Sequence, residues 1–144
     1  MMSALRALAR WTAPVVCGLL LGGPLHAPAW AAAGSWVGDA ASVRLFTPGR
    51  METSEALMPP ALATGATIRT FRWRFTLPTG QPHPAAWLCH PRRCIALSSA
   101  RGRSRALAGL AADVPLTFRF RLPPGARPSA PLRVEGLQVI VDYR

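Results

Sequence analysis

Residues 67–77 run Thr67-Ile68-Arg69-Thr70-Phe71-Arg72-Trp73-Arg74-Phe75-Thr76-Leu77. Phe71, Trp73, Phe75 and Leu77 fall on odd positions, and Thr70, Arg72, Arg74 and Thr76 on even ones. Side chains of an extended chain alternate between its two faces, so this period of two predicts a half-buried β-strand. The arrangement returns at 116–122, where Leu116, Phe118, Phe120 and Leu122 share one phase and Thr117, Arg119 and Arg121 the other. Both runs stop at turn chemistry, Pro78-Thr79-Gly80 after the first and Pro123-Pro124-Gly125 after the second. Proline fixes one dihedral there and glycine permits a positive one.

Outward from these two runs the chain stays extended. In 132–143, Leu132 and Val134 are in phase, while Leu137, Val139, Val141 and Tyr143 lie one step out. A bulge at Glu135-Gly136 reconciles them. Residues 42–47 offer a short strand through Val43, Leu45 and Phe46, and 87–89 with 94–97 form a hairpin. Helical periodicity of helix length is missing after residue 34, although 52–58 is read as a turn or two of helix. Residues 57–66 and 98–113 read as the long connections. The second carries Arg101, Arg103 and Arg105 separated by Gly102 and Ser104, the pattern of a solvated, mobile loop. The fold expected is all-β: an antiparallel β-sandwich of about six to eight short strands, with a small β-barrel as the alternative.

The amino terminus reads as an export signal. Arg6 and Arg10 precede an uncharged, mostly apolar run from Trp11 to Leu25, too short to span a bilayer. Ala29-Trp30-Ala31 and Ala31-Ala32-Ala33 both fit a small-residue cleavage rule, so 1–33 is expected to be a cleavable secretory signal peptide and the mature protein periplasmic. Cys17, inside the apolar run, is discarded with it. Removing 33 of 144 residues leaves 111, enough for a single domain at 34–144 that buries roughly 65% of its unfolded surface. After cleavage no integral membrane segment is expected.

All 17 basic residues are arginine. Fifteen of them stand after residue 33 against 6 acids, a surplus of nine positive charges that attracts polyanions. Nucleic acid is the least expected of these in an exported protein, which leaves anionic lipid or an acidic protein surface. Cys89 and Cys94 survive cleavage with four residues between them. In an oxidising compartment their first reading is a disulfide closing a hairpin. A metal reading stands beside it, because His83 and His90 flank the pair, though the spacing matches no zinc pattern.

Catalysis finds little to use. His83 and His90 are accompanied by no Gly-x-Ser-x-Gly elbow, and no two of the six acids share a local motif. No phosphate-cradling glycine loop is present, no cofactor is expected, and the chain reads as a non-enzyme. The candidate partner-contact residues are Arg72, Arg74, Arg119 and Arg121, which combine into one cationic sheet face if their strands are neighbours, together with Trp36 and Trp87, whose rings could stack on sugars. The plainer reading makes these arginines ordinary solvent-side residues.

From Gly34-Ser35-Trp36 to the carboxyl end the chain resembles the flagellar FlhE family. The resemblance is carried by Trp73-Arg74-Phe75-Thr76-Leu77, by Leu88-Cys89 and Cys94-Ile95-Ala96-Leu97 with four residues between the cysteines, by Pro115-Leu116-Thr117-Phe118, and by Leu137-Gln138-Val139-Ile140-Val141-Asp142-Tyr143-Arg144. It departs in its arginine surplus and in Pro82-His83-Pro84 before the hairpin. The resemblance implies a periplasmic β-sandwich with an intrachain disulfide at Cys89 and Cys94 and no catalytic residues. It also implies an accessory role in flagellar biogenesis, through a flagellar export-apparatus or rod or hook protein, in controlling assembly and proton leak. Peptidoglycan is the alternative partner, on the strength of the tryptophans and the charge.

Overall fold

A computed structural model describes residues 32–144. The expected signal peptide lies outside the described residues except for Ala32 and Ala33. The strands run in the order β1 (Gly34–Ala40), β2 (Val43–Leu45), β3 (Met51–Thr53), β4 (Ile68–Thr76), β5 (Ala85–His90), β6 (Arg93–Leu97), β7 (Arg101–Ser104), β8 (Thr117–Arg121) and β9 (Leu132–Tyr143). They form two antiparallel sheets. The first has the order β1-β9-β4-β7, with β2 also on β9, and the second the order β3-β8-β5-β6. The sheets are separate, so the fold is a sandwich and the barrel alternative is set aside.

Alternation decides which face of each strand is inside. Phe71, Trp73 and Phe75 of β4 are buried while Arg72 and Arg74 are exposed, and Phe118 and Phe120 of β8 are buried while Arg119 and Arg121 are exposed. The two inner faces meet at aromatic edges: the Phe75 ring centroid lies 5.2 Å from Phe120 and 6.3 Å from Phe118, both edge-to-face. Such contacts add about 0.5–1.5 kcal/mol beyond area burial. β9 is the spine of the first sheet. Its pairing with β4 shifts register between Arg74↔Gln138 and Thr76↔Glu135, and Gly136 has φ +61°, so the expected bulge at Glu135-Gly136 is present.

Two expectations are corrected. Residues 52–58 do not turn helically. Met51–Thr53 is a strand on β8, and Leu57 bridges Leu116 through reciprocal backbone bonds of 2.8 and 3.1 Å. Ser54 continues the ladder with its side chain, its hydroxyl accepting from the Phe118 N–H at 2.9 Å. Burial of Leu57 together with these bonds outweighs local helix propensity, and Pro59-Pro60 stops any helix there.

Residues 98–113 are not a free loop either, because Arg101–Ser104 is edge strand β7. Gly102 lies opposite Trp73, and a Cβ on it would stand 2.4 Å from the indole. The glycine therefore supplies the inward position by having no side chain. The Trp73 Nε1–H donates to the Ser99 carbonyl at 3.0 Å, pinning the entry to the strand.

Candidate functional site

Because β4 belongs to one sheet and β8 to the other, Arg72 and Arg74 face away from Arg119 and Arg121 across the sandwich. The condition under which the four arginines would share one face, neighbouring strands, is not met. Two faces replace the single one, and the first recruits residues that the sequence placed in a loop.

On the first face Arg72 stands opposite Arg103 and Arg74 opposite Arg101. Like charges directly across a ladder repel, and Asp142 of β9 answers the Arg72 and Arg103 pair. Its carboxylate lies 3.5 Å from the Arg72 guanidinium and 3.9 Å from that of Arg103, and it accepts from the Thr70 hydroxyl at 2.8 Å. Arg101 and Arg103 escaped the sequence reading because Arg-Gly-Arg-Ser shows no apolar alternation. The available signal was that Trp73, a large inward residue, needs a small neighbour.

On the second face Trp87 lies opposite Arg119, and the Arg121 guanidinium sits 5.5 Å from the Trp87 ring centroid. Arg119 and Arg121 make no ion pair among the described residues. The cysteines close the end of this sheet. The Sγ atoms of Cys89 and Cys94 are 2.06 Å apart, a bonded pair across the β5–β6 hairpin.

Trp36 is not on a surface. It is 4% exposed, and its Nε1–H donates to the Ala112 carbonyl at 3.1 Å, so its candidacy as a sugar platform is withdrawn: the indole fills the core and its one polar atom is satisfied. Trp87 is half-buried.

His90 is also structural. It is buried, its Nδ1 accepts from the Arg92 backbone N–H at 3.1 Å, and its Nε2 lies 3.1 Å from the Ala111 carbonyl. A carbonyl only accepts, so Nε2 carries the proton. Both ring nitrogens are thereby occupied, and both cysteines are spent on each other, which removes the donors that the metal reading needed. Among the described residues no three His, Cys, Asp or Glu side chains group as metal ligands. His83 lines a cleft of about 400 Å³ with Ser98 and Ser99, but the Ser99 hydroxyl donates to the Arg101 carbonyl at 2.6 Å and no acid lines that cleft. No helix among the described residues is long and apolar enough to cross a membrane.

The family model described as flagellar protein FlhE matches residues 42–144. The chain belongs to the FlhE family. It is 39% identical over 124 residues to flagellar protein FlhE of Yersinia enterocolitica, covering 84% of this chain and 86% of that one. The corresponding FlhE of Escherichia coli K12 is 32% identical over 112 residues, covering 77% and 85% of the two chains. A crystal structure of FlhE superposes with a TM-score of 0.68 at 29% identity, over 78% of this chain and 97% of that one. The FlhE match thus spans both sheets, from β2 onward, including the arginine ladder and the disulfide hairpin. The relatives are named as flagellar proteins and not as enzymes.

Proposed function

We propose that this FlhE-family chain is a non-enzymatic periplasmic accessory protein of flagellar biogenesis. It binds or caps an export-apparatus or rod component, so that assembly proceeds in order and protons do not leak through the unfinished structure. The observation that carries this reading is the family match over 42–144. The physical mechanism is occupancy. A sandwich whose inner faces are fully committed to packing does not rearrange readily, and its outer faces offer charge and shape to a partner. The surplus of arginine favours an acidic partner and speeds encounter with it.

The export signal read at 1–33 supports the periplasmic placement. Burial of Trp36 argues against the peptidoglycan alternative, leaving Trp87, under Arg121, as the remaining ring. A deletion strain tests the proposal. Loss of the protein is expected to disturb flagellation, and periplasmic co-purification to recover a flagellar component. Unchanged flagellation together with no flagellar component recovered contradicts it.

A further inference from the structure

A third cationic feature lies at the start of β4, where it adjoins the first face through Thr70 and Arg103. The register of β4 against β9 shifts between Ile68 and Thr70, which makes Arg69 the extra residue of a bulge, aimed outward and exposed. Two backbone clamps hold its flanks. On one side Thr67 and Arg144 exchange N–H···O bonds of 2.8 and 3.0 Å. On the other, the Gly109 N–H donates to the Ile68 carbonyl at 2.9 Å and the Ile68 N–H to the Leu110 carbonyl at 2.8 Å, folding the turn after β7 onto the same strand.

Arg144 and Arg105 are thereby carried to opposite sides of Arg69, and β7 adds Arg103 and Ser104. Together with Thr70 they line one open cavity of about 560 Å³. No Asp or Glu lines it. Arg103 shares Asp142 with Arg72, whereas Arg69, Arg105 and Arg144 make no ion pair among the described residues. Four arginines around one concavity repel one another, Asp142 offsets only Arg103 among them, and a bound anion relieves the remainder.

We infer that this cavity binds a phosphate group. A guanidinium presents planar N–H forks that match phosphate oxygens. A tetrahedral phosphate has acceptors for several forks arriving from different sides, whereas a single planar carboxylate is satisfied by one or two. The hydroxyl of Ser104, which accepts from the Ala106 N–H at 3.1 Å, keeps its own proton to donate. A soluble phosphate ester and a phospholipid headgroup share this chemistry. The inference does not depend on the flagellar role, since it uses only the local geometry.

The test titrates the purified chain with inorganic pyrophosphate, and separately with vesicles of phosphatidylglycerol or of phosphatidylcholine, at one ionic strength set with sodium chloride. Arg69→Ala combined with Arg144→Ala is expected to weaken binding of a phosphate probe about tenfold or more. Arg119→Ala combined with Arg121→Ala removes the same charge from the other side of the sandwich and is expected to leave binding unchanged. Preference for pyrophosphate supports the site with a soluble ester as its ligand, and capture by phosphatidylglycerol alone supports it with a headgroup. Failure to bind either probe overturns the inference, as does equal weakening by both double variants, which reduces the effect to net charge. Melting curves check that the variants fold, and Arg105→Ala, in an exposed turn, repeats the reading without altering β4 or β9.

Discussion

β4 and β8 carry the same local pattern, aromatic residues inward and two arginines outward, yet their outer faces have become different surfaces. Around β4 the neighbouring strands contribute two more arginines and one carboxylate, Asp142, that Arg72, Arg103 and Thr70 all engage. Around β8 the neighbours contribute an indole and a disulfide, and Arg121 lies over Trp87. A strand's own sequence sets which side chains face outward. Its neighbours in the sheet set what those side chains experience.

The largest effect expected from this contrast concerns the tryptophans. Trp36→Ala is expected to cost about 3–5 kcal/mol, through the cavity and the orphaned Ala112 carbonyl, whereas Trp87→Ala costs about 1 kcal/mol or less. Chemical denaturation of both variants checks the ordering, and equal losses would show that Trp87 is as deeply committed as Trp36. Next is the comparison of edge strands. Gly102→Val drives a side chain into the Trp73 ring and is expected to destabilise by about 1–3 kcal/mol, while Ala96→Val on the outer face of β6 stays within about 0.5 kcal/mol.

Removing the disulfide with Cys89→Ser and Cys94→Ser is expected to cost about 2 kcal/mol, since the loop it closes is short. A loss much larger than that in the melting free energy would mean that the second sheet depends on the bond for its formation. Asp142→Asn is expected to cost about 1 kcal/mol at low salt and less at high salt, because it exposes the first face to its own repulsion. On the second face, where Arg119 makes no ion pair among the described residues, Arg119→Ala is expected to change stability by about 0.5 kcal/mol or less and with the opposite salt dependence, since removing one like charge helps most at low salt.

The alternation in β4 and β8, the bulge in β9 and the cysteine hairpin were legible in sequence because each is a local pattern with a local cause. β1 was not. Its Gly34 and Gly38 dilute the alternation, and their reason is distant: a Cβ on Gly34 would stand 2.7 Å from the Tyr143 hydroxyl and one on Gly38 2.9 Å from Trp36. β7 was hidden for the same reason, its inward position being a glycine that only Trp73 explains. The arginine faces depend on which strands are neighbours, and periodicity carries no information about that. The cavity at Arg69 combines a bulge, a turn and the last residue of β9's extension, three sites far apart in the chain.

The most direct measurement is photo-crosslinking in motile cells from probes placed at position 74 and, separately, at position 121, one on each outer face. Capture of a flagellar export or rod component from at least one of these positions is the expected result, and the face that captures it is the working surface. Exported, folded protein that crosslinks to no flagellar component from either face would contradict the account.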